Sequence, residues 1–175
     1  MIQPARPRAD AGSGDDLDFE AFFEAVYPPL SRALFLLTND AAEAEDLAQE
    51  ALARAFERWE RVRRMDSPQG YVYRTALNLN RNRLRHLRMR ARRALHVGAG
   101  VHPAEPEGVA ESRDEVRRAL AALSVEQRDA LILVDWLGLD AEEAGRVLRI
   151  EAASVRGRLH RARTTLRERF GGGDG

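Results

Sequence analysis

The chain has 175 residues, enough for one or two small domains, and its 28 basic and 28 acidic side chains give a net charge of zero. Every basic residue is arginine and cysteine is absent, which excludes disulfides, thiolate nucleophiles and cysteine-ligated zinc. Without lysine the chain cannot form a P-loop, and its four histidines have no paired metal-ligand spacing. We therefore expect no catalytic site, no metal and no cofactor. The absence of a signal peptide or a membrane-spanning run predicts a cytoplasmic protein.

The first half of the chain predicts three helices after a disordered leader at 1–16. Apolar residues at spacings of three and four predict a helix from Leu17, which Pro28 and Pro29 should kink or break. Asn39 or Asp40 caps a second helix, whose inner side carries Leu47, Ala51, Ala55 and Trp59. Ser67 followed by proline begins a third helix that continues into an arginine-rich stretch.

That arginine-rich stretch, 78–93, contains seven arginines and no acid. Leucines and alanine at 77, 84, 87 and 91 form one helical stripe, and arginines at 81, 85, 88 and 92 form a second. Arginines stacked along one helix face repel each other unless an anion or distant acids compensate them. We expect the later part, Arg88 to Arg93, to attract phosphates without sequence preference.

Charge and turn residues divide the chain into two modules. Acids dominate 10–50 and 102–143, whereas arginines dominate 54–93 and 146–169, so each module carries a basic face for an anionic partner. Segment 96–110 is rich in glycine, proline and alanine, and predicts a linker with a span of roughly 20 Å that tethers the modules loosely. We place the terminal module at 111–170 and a disordered tail at 171–175.

The terminal module predicts four helices. The first lies around Ser112 to Leu123, and Ser124 with Gln127 forms a capping box for the second. Asp140 with Glu143 repeats that pattern before a short helix, and a long basic helix follows.

The last two helices fit a helix-turn-helix that binds duplex DNA. The motif needs a small residue where the helices cross, here Gly145, and a branched apolar residue ten positions later, here Val155. Arg149 stands where glycine is usual because positive φ is favoured there, which implies about 1 kcal/mol of strain or a different turn. Residues expected to face base edges are Glu151, Ala152, Ala153, Arg156, Gly157 and His160, and those expected to reach phosphates are Arg158, Arg161 and Arg163.

The order of these motifs resembles the sigma-70 family of bacterial transcription initiation factors, and the short linker resembles its extracytoplasmic-function (ECF) group. The resemblance covers nearly all of 18–170. It implies an all-α protein of two small helical domains joined by a flexible linker, with region 2 in 17–95 and region 4 in 111–170. It also implies an initiation subunit that directs core RNA polymerase to promoters.

Three blocks carry the resemblance. The first, DAAEAEDLAQEALARAFERW, is similar to the ECF signature for binding core polymerase, with Asp46, Gln49 and Glu50 on one helix face opposite the apolar stripe. The second, SPQGYVYRTALNLNRNRLRH, is similar to the segment that recognises and melts the −10 element. Its implied DNA-binding residues are Tyr71, Arg74, Asn78, Arg81, Asn82 and Arg85.

Two positions of the second block depart from the family pattern, because Tyr71 replaces a usual tryptophan and Asn82 a usual aspartate. Two interpretations of Tyr71 stay open. Its ring stacks on a base, which is worth roughly 1–3 kcal/mol per base, or it packs in the core. For Tyr73 we favour core packing. The third block, from Gly138 onward, follows the −35-reading module, with implied DNA-binding residues Ala152, Ala153, Ser154, Arg156, Gly157, Arg158, His160 and Arg161.

A stand-alone helix-turn-helix regulator that binds duplex DNA without polymerase is the alternative hypothesis. It would leave the acidic face of the second helix and segment 71–85 without a role. The resemblance implies core RNA polymerase and promoter DNA as partners. It also makes an anti-sigma factor a candidate partner, although no residue here identifies one.

Overall fold

The computed structural model describes residues 18–97, 116 and 118–170, and these residues are helices and turns without any strand. The first module contains α1 (Phe19–Thr38), α2 (Ala41–Phe56), α3 (Trp59–Val62) and α4 (Pro68–Val97). The terminal module contains helical backbone at 116 and 118–121, then α5 (Val125–Leu131), a π-helical turn (Ile132–Trp136), α6 (Ala141–Leu148) and α7 (Ala152–Phe170). The predicted leader, the tail and residues 98–110 of the predicted linker lie outside the described residues.

α1 is continuous from Phe19 to Thr38 although Pro28 and Pro29 lie inside it, so the expectation that these prolines break the helix is wrong. Val26 and Leu30, on either side of the prolines, are buried in the core. Packing of this apolar stripe along α2 outweighs the two helix hydrogen bonds that the prolines cannot donate.

Helix ends follow the predicted caps. Asn39 ends α1 in the left-handed conformation, and Asp40 begins α2 by accepting a hydrogen bond from the Glu43 amide at 3.1 Å. The Ser67 hydroxyl accepts a hydrogen bond from the Gly70 amide at 3.0 Å at the start of α4. Both predicted capping boxes of the terminal module are present, before α5 and before α6.

The first module packs α2 and α4 on α1. The buried side of α2 consists of small residues and one leucine, which allow α1 to approach closely: Ala44, Ala48, Ala51, Leu52 and Ala55. Of the predicted inner residues, Ala51 and Ala55 are buried, whereas Leu47 and Trp59 are half-buried. α4 extends to Val97, so its last two residues lie inside the predicted linker.

The two modules are packed together, which differs from the expected loose tethering. Buried residues of both belong to one continuous hydrophobic cluster, and Leu36 of α1 packs against Leu120, Leu123 and Ala162 of the terminal module. The physical reason is that each module leaves apolar surface that the other covers. None of the described helices is long and apolar enough to cross a membrane.

Candidate polymerase and nucleic-acid interfaces

The acidic face of α2 is open to solvent. Asp46, Gln49 and Glu50 are all exposed, and they lie opposite the buried alanines of the same helix. Glu50 accepts a hydrogen bond from Arg54 at 2.6 Å, but both side chains are about half exposed, so this pair holds the carboxylate only weakly. The three residues can therefore meet a partner protein.

Phe56 adds an apolar group to this face, although the sequence pattern did not single it out. Its side chain is 61 % exposed, and it follows Gln49 by seven residues, which places both on one side of α2. Its ring centroid lies 4.8 Å from that of Phe19, which in turn contacts Trp59 at 5.2 Å. An exposed ring supported by a partly buried aromatic cluster is typical of a protein-binding surface. The helical spacing from Gln49 is the signal that could have identified it.

The predicted −10 residues lie along one face of α4, and they are either exposed or half-buried. Asn78, Asn82 and Arg85 are exposed, whereas Tyr71 and Arg74 are half-buried. Tyr71 also packs against the hydrophobic cluster, so part of its side chain contacts the core and part remains accessible to solvent. Tyr73 is only 4 % exposed, and burial raises its pKa to about 12, in agreement with its predicted place in the core.

Arg81 is the exception on this face, because it binds an acid of the terminal module. Its Nε donates to Asp129 Oδ2 at 2.8 Å, and its Nη2 donates to the same oxygen. Asp129 is 2 % exposed, and burial raises the pKa of its carboxyl, while the neighbouring Arg81 charge opposes that rise. Arg83 likewise pairs with Glu43 of α2. The sequence predicted that either an anion or distant acids compensate the arginine stripe. For Arg81 of that stripe the structure shows a distant acid, Asp129.

The turn between α6 and α7 is built around a close backbone contact. A Cβ on Gly145 would lie 2.6 Å from the Ile150 carbonyl oxygen, so only glycine allows this approach. Arg149 has φ 58° and ψ 48°, the left-handed conformation, which is one of the two outcomes left open for this position. Val155 lies on the inner side of α7 and is fully buried, as the motif requires. The structure thus forms the turn with arginine in place of glycine.

The reading face of α7 is open along its length. Most of the predicted base-facing and phosphate-facing residues are exposed, and Ala152, Gly157 and Arg158 are partly covered. Arg156 pairs with Glu142 at 3.4 Å, with both side chains about 60 % exposed. Arg163, predicted to reach phosphate, instead forms a two-bond pair with Asp135 at 3.1 and 2.5 Å. Phosphate can displace such exposed pairs because they are weak.

Comparison with known proteins decides the family. The sigma-70 region 2 model matches residues 22–91 and the sigma-70 region 4 model matches residues 113–166, together more than two thirds of the chain. The RNA polymerase sigma-E factor of Streptomyces coelicolor is 30 % identical over 159 residues, which cover 89 % of this chain and 87 % of that protein. This chain belongs to the ECF group of the sigma-70 family.

Further relatives agree with that membership. The ECF RNA polymerase sigma factor SigC of Mycobacterium tuberculosis is 30 % identical over 161 residues, 89 % of this chain and 85 % of SigC. Among solved structures, the sigma factor RpoE of Bartonella quintana, in complex with the anti-sigma factor NepR, matches with a TM-score of 0.68 and 25 % identity over 87 % of this chain and 96 % of RpoE. CnrH, in complex with the cytosolic domain of CnrY, matches with a TM-score of 0.65 over 89 % of each chain, and at 19 % identity this likeness concerns the fold alone.

The family match covers both modules of this sigma factor. Region 2 contains the acidic face of α2 and the predicted −10 residues of α4, while region 4 contains the helix-turn-helix of α6 and α7. A stand-alone helix-turn-helix regulator would need region 4 only, so the presence of region 2 disfavours that alternative.

Proposed function

We propose that this sigma factor binds core RNA polymerase through the α2 face and reads a promoter with its two basic helices. Asp46, Gln49 and Glu50 supply the polar contacts to polymerase, and Phe56 supplies an apolar anchor. α7 reads the −35 duplex, and α4 binds and helps to melt the −10 element. The observation that carries the proposal is the separation of an open acidic face on α2 from basic faces on α4 and α7.

Roles divide within each DNA-binding helix. On α7, Ala152, Ala153, Ser154, Arg156, Gly157 and His160 face base edges, and Arg158 and Arg161 reach phosphates. On α4, Tyr71 offers a ring to an unstacked base, while Asn78 and Asn82 offer amide hydrogen bonds. Arg74, Arg81 and Arg85 attract the backbone of the separated strand.

The sigma factor carries no catalytic group in this proposal, since nucleotide polymerisation belongs to the core enzyme. It acts in the cytoplasm with that enzyme, and its functional domains are residues 17–95 and 111–170. An anti-sigma factor is a further candidate partner, supported by the structure of the neighbour RpoE, which is in complex with the anti-sigma factor NepR.

Run-off transcription with purified core polymerase on a promoter library tests the proposal. The full chain must direct initiation at specific sites, and failure across the library would contradict it. Reversing both charges, Asp46→Arg with Glu50→Arg, should weaken polymerase binding at least tenfold and leave duplex binding unchanged. Glu24→Arg, an exposed charge reversal on α1, is the matched control and should change neither. Equal loss of polymerase and DNA binding in the double variant would indicate misfolding instead.

Variants of α7 and α2 refine the assignment. Arg156→Ala should alter the −35 sequence preference. Arg161→Ala should weaken binding to all DNA sequences alike and reduce the salt dependence of that binding. Phe56→Ala should weaken polymerase binding by about 1–2 kcal/mol without changing DNA binding. The opposite behaviour of the two arginines would overturn the division between base and phosphate contacts.

A further inference from the structure

The capping pattern at the start of α2 is incomplete. At α5 and α6 both halves of the capping box form, because Gln127 and Glu143 each accept a hydrogen bond from the backbone amide of their cap residue, at 3.0 and 2.8 Å. Asp40 and Glu43 have the same spacing at α2, but the Asp40 amide donates to the Thr38 hydroxyl at 3.2 Å instead. The Glu43 carboxylate is therefore not used by the cap of its own helix.

Glu43 instead binds an arginine of α4. Its carboxylate pairs with the Arg83 guanidinium, and the two side chains are mostly covered, at 26 % and 24 % exposed. Burial lowers the pKa of Arg83, and the negative charge of Asp40 opposes that change, so Asp40 also lies close to the guanidinium. The N-terminus of a helix repels a cation, and these two acids compensate for that repulsion. A side chain diverted from its local cap to a distant partner indicates a role beyond the stability of α2.

The pair lies where the apolar support of α4 ends. Leu77, at 5 % exposed, is the last buried apolar residue of this helix among those that the structure describes. Asn80 is buried as well, but its Oδ1 accepts no hydrogen bond from the described residues, so it is a weak anchor. None of residues 81–92 is buried. Beyond Asn80, the contact of Arg83 with Glu43 therefore ties α4 to its own module.

Two of the proposed −10 residues lie in this segment, beside Arg83. Asn82 precedes it and Arg85 follows two residues later; both are exposed, and Arg85 Nη1 donates to Asn82 Oδ1 at 3.4 Å. Successive residues of an α-helix are rotated by about 100°, so an arginine held against α2 turns both of these side chains away from α2. The rotation of α4 about its own axis thus decides how they are presented.

We infer that Glu43 and Arg83 are positioning residues for −10 recognition, because their ion pair holds α4 against α2 and fixes the direction in which Asn82 and Arg85 face DNA. The inference rests on the proposed function, which assigns Asn82 and Arg85 to the −10 strand. Neither member of the pair contacts DNA itself. Glu43 lies one helical turn before Asp46, so the same contact orients the −10 residues relative to the proposed polymerase-binding face.

Initiation by the reconstituted holoenzyme tests this role. The template is a promoter that the parent chain uses in run-off transcription, with one panel of single-base changes in its −10 element and a second panel in its −35 element. Discrimination is the ratio of initiation rates on the original and the altered promoter. Glu43→Gln should lower −10 discrimination by at least about fivefold, because Asn82 and Arg85 are no longer held in one orientation. Its −35 discrimination should not change.

Matched variants separate positioning from stability. Glu45→Gln removes the same charge from an exposed position of α2, and it should change −10 discrimination by less than about twofold. Arg83→Gln should reproduce the effect of Glu43→Gln, and the double variant should be no worse than either single one, because all three lack the same contact. Arg83→Lys retains the charge and should retain most of the discrimination.

Each outcome decides the inference. Unchanged −10 discrimination in Glu43→Gln, or additive losses in the double variant, would overturn it. Equal loss of −10 and −35 discrimination would show that the pair supports the fold alone, which also overturns it. If circular dichroism shows that Glu43→Gln is unfolded at the assay temperature, Glu43→Asp decides, since its shorter side chain should lower −10 discrimination as well and retained discrimination would contradict the role.

Failure of the proposed function gives a different result. A parent holoenzyme that does not initiate, or initiates without any −10 preference, contradicts the proposed function and the positioning role together. A parent holoenzyme with a clear −10 preference that Glu43→Gln leaves intact contradicts the positioning role alone.

Discussion

The two helices that we propose read DNA in this sigma factor hold their arginines in different ways. On α7, Arg156 and Arg163 pair with Glu142 and Asp135 at exposed positions of the same module. On α4, Arg81 pairs with a buried acid of the other module. Exposed pairs contribute at most about 1 kcal/mol and yield to phosphate, whereas a buried acid keeps its arginine until the surrounding structure opens. The paired arginines of α7 are therefore open to an anionic partner, whereas Arg81 of α4 is held by its buried acid.

The helices also differ in how their backbones are fixed. α4 is held by a core that includes Val72, Tyr73 and Ala76, whereas α7 is positioned by the short turn around Gly145 and Arg149. A core distributes its support over many side chains, while a tight turn depends on one or two residues. We expect single substitutions to affect the α7 turn most strongly.

Gly145→Val should have the largest effect. Its Cβ would collide with the Ile150 backbone, and such overpacking should lower the free energy of unfolding by about 3 kcal/mol and abolish −35 duplex binding. Thermal unfolding and DNA titration measure both. Gly157→Ala is the control for stability, because its Cβ would meet only the end of Arg161, at 3.7 Å. Equal destabilisation by both variants would show that the turn has no special dependence on Gly145.

Alkaline pH should weaken the support of α4. Burial raises the pKa of Tyr73 from 10.0 to about 12, so above pH 10 the unfolded chain releases a proton that the folded chain retains. Stability is full below pH 10 and should fall by at most about 2–3 kcal/mol as the pH rises through 12. Urea unfolding of the parent chain and Tyr73→Phe measures this, and the variant should lose less stability over the same range. An identical loss in both chains would assign the pH dependence to other groups.

Arg149→Gly should stabilise the α7 turn by about 1 kcal/mol, because glycine adopts the left-handed conformation without the steric penalty of a side chain. Asn39→Gly changes the equivalent position at the end of α1, with φ 55°. Asparagine tolerates this conformation, so that variant should gain only a few tenths of a kcal/mol. Denaturant titration compares them, and a larger gain from Asn39→Gly would mean that Arg149 is not strained.

Glu142→Gln should have the smallest effect on stability, below about 0.5 kcal/mol, since the pair with Arg156 is exposed. It should strengthen −35 duplex binding about twofold, because one acid beside the reading face is removed. Fluorescence anisotropy at two salt concentrations measures the change. A loss of duplex binding would indicate that Glu142 positions Arg156 rather than competing with DNA.

Local signals in the sequence predicted local structure well. Asp40, Ser67, Ser124 and Asp140 begin their helices as predicted because each cap involves a residue three positions away. The sequence left two outcomes open for Arg149, and the structure shows the left-handed conformation. The helix through Pro28 was mispredicted because packing against α2, and not local propensity, decides it.

Contacts between modules could not be predicted in the same way. The basic stripe of α4 indicated that an anion or distant acids compensate it, but nothing near Asp129 marks that residue as the acid facing Arg81. The contact depends on how two apolar faces pack, which single-chain periodicity does not reveal. Phe56 was overlooked for a related reason. An aromatic residue at the end of an amphipathic helix is interpreted as a core residue until its exposure is known.

The position of Arg81 also limits how this protein can change over evolutionary time. In the structure this side chain binds Asp129 of the other module, and it is proposed to contact the backbone of the −10 strand. A substitution that weakens the proposed phosphate contact also removes the ion pair between the modules. Arg156 pairs with Glu142 of its own module, so a substitution of Arg156 leaves that ion pair intact. The proposed base-reading positions of α7 can therefore change singly, whereas any change at position 81 also affects position 129.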